Sequence, residues 1–324
     1  MNRICETLSI NYPIIQGGMG NISSSELASA VSKAGGLGTI GTGTMSPDEV
    51  EKLLVDIKML TSLPFAVNIP ITVTPYFKEM CELVVKHDVK VVSLSAGNPS
   101  PHISFFKEHG IKVICVTASV KHAMKAENAG ADIIVGEGFE AAGINSSLEL
   151  TTLTLIPQLK ASVSIPVIAA GGVGDGKGLA AAFVLGAEGV QMGTRLVATK
   201  DSPYHSNYLD QILQSKDTGT VIVGRSVGKV RRILKTSYSS MIEEAERNGV
   251  HPNDFAKMTA EDKHIIGAVE GRLEEGFING GQVSGLINSL PTVEELFVTM
   301  IREASETLND QSLQFNKFKQ PNNG

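Results

Sequence analysis

The sequence has no tryptophan, and aromatic residues fill only 5% of its 324 positions, so its core must be mostly aliphatic. Cysteine is scarce too. Cys5, Cys81 and Cys115 are scattered and odd in number, with the spacing of neither a zinc site nor a redox pair, and read as buried thiols in a reducing cytoplasm. Positive charge is in deficit: 28 Lys and Arg stand against 34 Asp and Glu, a net −6. That balance argues against non-specific nucleic-acid binding, which needs a basic field. No apolar run approaches the roughly 20 residues of a membrane span. The opening MNRICETLSINYPIIQGG also lacks the apolar segment of a secretory signal. Together these absences predict a cytoplasmic protein whose partners include neither nucleic acid nor membrane.

What is plentiful is glycine, at 33 residues, within a chain 42% hydrophobic and 19% charged. That composition suits a soluble globular core with many tight turns. The length accommodates one large α/β barrel with a small extra unit, or two domains.

One pattern recurs along the chain. A short β-branched run is followed by a Gly/Ser/Asn/Pro loop and an amphipathic helix ending in glycine. The runs lie at 12–18, 37–43, 64–71, 89–97, 112–119, 131–138, 165–172 and 189–195. Continuous apolar runs of this kind are strands buried between helices. Capping boxes are expected at Ser23–Glu26 and Ser46–Glu49, the second with Pro47 at the first helical position. Gly35, Gly110, Gly130 and Gly186 stand where helices should stop. Eight successive β-α units with right-handed crossovers close into a (β/α)8 TIM barrel, the expected fold. An open doubly wound sheet is the runner-up. It is discounted because QGGMGNISSS, after the first run, lacks the G-x-G-x-x-G spacing of a dinucleotide site.

After the eighth run the rhythm fails. Residues 201–275 read as a small, mostly helical insertion, a lid over the site mouth, with no strand run longer than TVIVG. The barrel is thus expected over 1–200 and 276–312, with the polar tail QSLQFNKFKQPNNG frayed. The basic cluster Lys229, Arg231 and Arg232 reads as a solvated helix face, or as a contact for an acidic carrier protein or a nicotinamide phosphate.

In such a barrel the site lies at the carboxyl ends of the strands. AAGGVGDG after the seventh run and QMGTR after the eighth place glycine turns at neighbouring strand ends. Barrels bind phosphate there through main-chain N–H groups. Thr194 adds a hydroxyl, and Gly17-Gly18 after the first run is a third close approach.

Taken together, YPIIQGGMG, LASAVSKAGGLGTIG, PFAVNI, AGNPS, EGFEAAG, SIPVIAAGGVGDG, LGAEGVQMGTR and GGQVSGLI resemble the FMN-dependent enoyl-ACP reductase II and nitronate monooxygenase family, from about residue 8 to residue 300. The compact link between the third and fourth runs looks more like the reductases. The resemblance implies FMN as cofactor and NAD(P)H as hydride donor. It implies that Gly18, Met19 and Gly20 border the flavin ring and that Asn68 bonds near its pyrimidine side. Gly171, Gly172, Gly193 and Thr194 would hold the phosphate. Glu137 would lie by the ribityl chain, with Gly281 and Gln282 packed beside the cofactor.

The departure falls at residues 140–144. The family pattern E-A-G-G-H reads here Glu140-Ala141-Ala142-Gly143-Ile144, so the proton-transferring histidine is replaced by isoleucine. Neighbouring Asn145 and Glu140 are the nearest polar groups, and an amide cannot donate a proton catalytically at neutral pH. No catalytic residue is therefore assigned, and no metal is expected. His205 matches a family position and reads as structural. His102, His122 and His264 read as solvated, and His87, His109 and His251 as turn residues. The implied activity is NAD(P)H-driven reduction of an enoyl thioester, either as a small molecule or carried on an acyl carrier protein. The alternatives are oxidation of alkyl nitronates by O2 and flavin binding with little turnover. The sequence leaves a homodimer open.

Overall fold

A computed structural model describes residues 2–318. Its first strand, β1 (Ile14–Gln16), is followed by β2 (Gly38–Gly41), β3 (Phe65–Pro70), β4 (Val91–Ser95), β5 (Lys112–Thr117) and β6 (Ile133–Glu137). A two-residue strand, β7 (Gly143–Ile144), precedes β8 (Val167–Ala170) and β9 (Gly189–Met192). All strands except β7 pair in parallel, in the order β1-β9-β8-β6-β5-β4-β3-β2. The ring closes between the first and last: Gln16 N–H donates to Leu37 O at 2.9 Å, and Leu37 N–H donates to Ile14 O at 3.0 Å. The eight strands expected from the sequence are the eight strands of this TIM barrel.

The two-residue period of a strand sorts its side chains. Ile15, Ala66, Val91, Ile114, Ile133 and Ile168 fill the barrel interior, and the amino-terminal helix Arg3–Leu8 adds Ile4, Cys5 and Leu8. Their sequence neighbours Ile14, Val67, Val92, Ile134 and Val167 face the helices instead. All three cysteines are buried and free. Among the described residues, no helix is long and apolar enough to cross a membrane.

The punctuation is partly as expected. Ser46 and Glu49 form the reciprocal capping box of helix Pro47–Leu60, and Gly35, Gly110, Gly130 and Gly186 all take positive φ after helices. At the earlier helix the cap falls one residue later than expected. Ser24, not Ser23, accepts from Leu27 N–H, and Ser23 instead accepts Gly41 N–H at 2.8 Å.

Between residues 201 and 275 the expectation of helices is incomplete. Helices Ser206–Leu213, Ser237–Arg247, Pro252–Met258 and Glu261–Ala268 are present. So is a hairpin of β10 (Thr220–Val223) and β11 (Arg231–Leu234), whose second strand pairs antiparallel with β7. The arginines hid this strand, because charged residues seldom occupy a buried strand without partners. Here Arg231 lies over the Phe277 ring at 4.8 Å and Arg232 over Phe139 at 5.1 Å. Arg232 also donates to Phe139 O at 2.9 Å and to Thr220 Oγ1 at 3.0 Å. Arg231 and Arg232 are thus buried strand residues, not a solvated helix face. Val223, Ile233, Tyr238, Ile242, Phe255 and Phe277 give this region a core of its own.

The final helix, Val293–Phe318, runs past residue 312, so residues 311–318 of the tail are helical rather than frayed. Residues 319–324 lie outside the described ones.

Candidate active site

At the carboxyl ends of the barrel strands lies a cavity of about 700 Å³. That volume is ample for a cofactor with part of a substrate. Its floor carries Gly17, Gly18, Met19 and Gly20 after β1, Asn68 in β3, Glu137 in β6, Gly171 and Gly172 after β8, and Gly193 and Thr194 after β9. Gly281 lines it as well. Gln282 does not: its side chain is exposed, and only its main-chain N–H reaches inward, donating to Glu140 O at 2.9 Å.

Two glycines show why the backbone is bare here. A methyl group at Gly18 would collide with the Asn68 amide. That amide is held by donation to Ser93 O at 3.2 Å and to Ser95 Oγ at 3.1 Å. At Gly193 the reverse holds. An added methyl group meets no protein atom within 4 Å, so the space belongs to whatever enters the cavity. Thr194 Oγ1 accepts Gly281 N–H at 3.0 Å, which ties the residue 281 turn to the end of β9. Its own hydroxyl hydrogen remains for a ligand.

Residues 138–146 arch over the cavity. The Glu140 carboxylate accepts Thr152 N–H at 3.0 Å and the Thr152 hydroxyl at 3.0 Å, capping helix Thr152–Ser162 from outside. Asn145 Nδ2 donates to Ala141 O at 2.9 Å and Gly143 O at 3.2 Å. Both polar groups flanking position 144 therefore hold the loop itself. Ile144 is 47% exposed and lines the cavity. Glu137 sits at the floor, where desolvation raises its carboxyl to about 7.

The outer wall comes from residues that sequence reasoning passed over. Arg231, Glu261, His264 and Asn279 all line the cavity. His264, expected in solvent, is 2% exposed, and its ring stacks on Phe277 at 5.1 Å and 7°. Glu261 faces Arg231 at 3.7 Å and His264 Nδ1 at 3.9 Å. Burial pushes the Glu261 carboxyl up, but His264, Arg231 and the Asn21 N–H outweigh it and leave it below the usual range. Burial lowers Arg231, partly offset by Glu261. One cue for His264 was available: it falls at i+3 from Glu261, with apolar Ile265 and Ile266 beside it. At the mouth stand Lys121, His122 and Lys125 of helix Val120–Asn128. Neither lysine has an ion-pair partner among the described residues. His205 caps helix Ser206–Leu213 by accepting Asn207 N–H at 3.1 Å.

The nitronate monooxygenase family model matches residues 2–75 and 70–303. The chain belongs to the nitronate monooxygenase family. Members of this family are flavin-dependent oxidoreductases. A probable nitronate monooxygenase of Staphylococcus saprophyticus is 35% identical over 286 residues, covering 75% of this chain and 81% of that protein. A (3aS,4S,5R,7aS)-5-hydroxy-7a-methyl-1-oxo-octahydro-1H-indene-4-carboxyl-CoA dehydrogenase of Mycobacterium tuberculosis is 32% identical, covering 95% of this chain and 97% of that one. The structure of FabK from Thermotoga maritima superposes with a TM-score of 0.92 at 40% identity, covering 96% of this chain and 98% of that chain.

Proposed function

We propose that this protein is an FMN-dependent NAD(P)H oxidoreductase that reduces an enoyl thioester. The observation that carries the cofactor half is Gly193. Its missing side chain leaves room only for a ligand, beside the turn of Gly171 and Gly172, whose φ values of +96° and +78° suit glycine. An added side chain would fill that cradle, so the residues present fit a phosphate-bearing flavin. FMN would be held at its phosphate by Gly171, Gly172, Gly193 and Thr194. It would lie along Gly18, Met19 and Gly20, with Asn68 at one edge of its ring and Glu137 and Gly281 nearby. When bound, the flavin supplies the redox chemistry, exchanging a hydride with nicotinamide and with the acceptor. The chain's own residues bind, orient and exclude water. Met19 is braced for this by Tyr204, whose hydroxyl lies 3.2 Å from its sulfur and donates to Ile22 O at 3.0 Å.

Similarity to FabK at 40% identity along nearly the whole chain supports the thioester acceptor. So does the mouth, where Lys121, His122 and Lys125 suit a substrate with a phosphate-bearing tail, such as coenzyme A or an acyl carrier's prosthetic arm. The second reading, oxidation of a nitronate by O2, draws on the family match and on Ile144. A pre-formed nitronate anion needs no base to remove its α-proton, and this site presents none at position 144. Flavin released from the purified protein identifies the cofactor. The product then decides the reaction: a saturated thioester with NAD(P)+ supports the reductase. A carbonyl compound formed from nitronate and O2, with no thioester reduced, replaces it with the second reading.

A further inference from the structure

The arch over the cavity turns an isoleucine inward. Ile144 stands directly across from Arg231 in the pairing of β7 with β11. Side chains opposite each other in an antiparallel pair share a face, and Arg231 lines the cavity. The pairing therefore holds Ile144 on the cavity side. Asn145 fixes it there: its main-chain N–H donates to Val230 O at 2.9 Å, and its amide is bound back to Ala141 O and Gly143 O. Even so, 47% of the residue is exposed. Of the large apolar residues that are exposed among the described ones, Ile144 alone lines the cavity.

It is not an isolated apolar surface. Pro70 ends β3, Val73 follows it, Pro99 follows β4 and Ala118 follows β5, and all four line the same cavity. Val73, Pro99 and Ala118 are only part-buried, so their apolar surface is open to whatever enters. Strands β3, β4, β5 and β6 are successive neighbours in the barrel, and β6 leads into the arch. These side chains thus form a continuous sector of the rim, distinct from the glycine turns after β8 and β9. The basic mouth belongs to that sector, because Lys121, His122 and Lys125 lie on the helix after β5. A ligand held there by a phosphate-bearing tail meets the apolar sector with the rest of its length.

We infer that Ile144 is a specificity-determining residue for the acceptor: with Pro70, Val73, Pro99 and Ala118 it seats an apolar acyl chain, so the enoyl thioester this protein takes carries an acyl group longer than crotonyl. The inference rests on the function proposed above. Where the family pattern has a group that transfers a proton, this chain has one that can only be covered. Water leaves both apolar surfaces as the chain covers them, and that release is the source of the affinity.

Isothermal titration of the flavin-loaded protein with butyryl-, octanoyl- and decanoyl-coenzyme A reads this site without turnover. From butyryl to octanoyl the wild type should bind about tenfold tighter or more, because added methylenes are buried in an apolar site. Ile144→Ser should lose about fivefold or more on octanoyl- and decanoyl-coenzyme A, and less than about twofold on butyryl-coenzyme A. Ile144→Leu keeps the apolar area and should bind all three as the wild type does. Equal wild-type affinity for butyryl and octanoyl ligands overturns the inference, as does unchanged octanoyl binding in Ile144→Ser. An equal loss on short and long ligands also overturns it, since the effect would then lie in the tail site or the fold. If octanoyl-coenzyme A binds with the expected preference but trans-2-octenoyl-coenzyme A does not reoxidise the NAD(P)H-reduced flavin, the proposed function fails and the acyl site stands.

Discussion

At the floor of the cavity, Gly18, Gly171, Gly172 and Gly193 keep the main chain bare, so backbone turns more than side chains give it its shape. The outer wall is the opposite. Arg231, Glu261, His264 and Asn279 come from a strand, a helix and a loop up to 48 residues apart, and each is held by the others. On the proposed function, the floor would hold a cofactor whose shape is constant. The wall, together with the arch that carries Ile144, would then meet the acceptor. The contrast predicts that changes to the floor remove the cofactor, while changes to the wall alter only what the reduced cofactor reacts with.

The largest effect should come from Gly193→Val. Its φ of −115° tolerates a side chain and no protein atom lies within 4 Å of the new Cβ, so the apo fold should persist. Flavin affinity should fall by about 100-fold or more, since a cofactor phosphate contact and its space are lost together. A circular dichroism melt and a flavin titration separate the two. Retained wild-type affinity would remove Gly193 from the site.

Ile144→His should come next. General acid-base groups contribute about 10²–10⁴-fold, and partial recovery of about tenfold in crotonyl-thioester turnover is expected if the loop keeps its pairing to β11. Unchanged turnover would mean that another residue already delivers the proton.

At the mouth, Lys121→Glu with Lys125→Glu should lower kcat/KM for a coenzyme A thioester by about fivefold to tenfold at low salt. A short thioester without phosphate should be unaffected. Equal loss on both would point to a disturbed fold rather than a charged mouth.

The smallest effect concerns Glu137. Its carboxyl, raised by desolvation to about 7 from an ordinary 4.5, keeps its proton in the folded state over a range where the unfolded chain has released it. Stability should therefore fall as pH rises from about 4.5 through about 7. Glu137→Gln should flatten that slope, by on the order of 1 kcal/mol or a few degrees of melting temperature. Parallel stability curves for the two proteins would contradict it.

The same contrast explains what the sequence revealed. The eight strands and the glycine turns were legible because each is signalled within a few residues: an apolar run, then Gly-Gly or Gly-Thr. Buried Arg231 and Arg232 were misread because the aromatic rings that accept them, Phe277 and Phe139, lie 46 and 93 residues away in sequence. His264 looked solvated for the same reason: its partners Phe277 and Asn279 arrive only with the fold. Gln282 erred in the other direction. It follows a cavity glycine, but the turn directs its side chain outward.

The most direct test is to follow the two half-reactions separately by anaerobic stopped flow. The account predicts that NADH or NADPH bleaches the bound flavin at an ordinary enzymatic rate, because the floor is complete and that step needs no proton relay at position 144. Crotonyl thioester should then restore the colour slowly, and Ile144→His should speed only that second phase. Slow bleaching followed by fast reoxidation in the wild type would contradict it, placing the deficiency in the floor rather than in the wall.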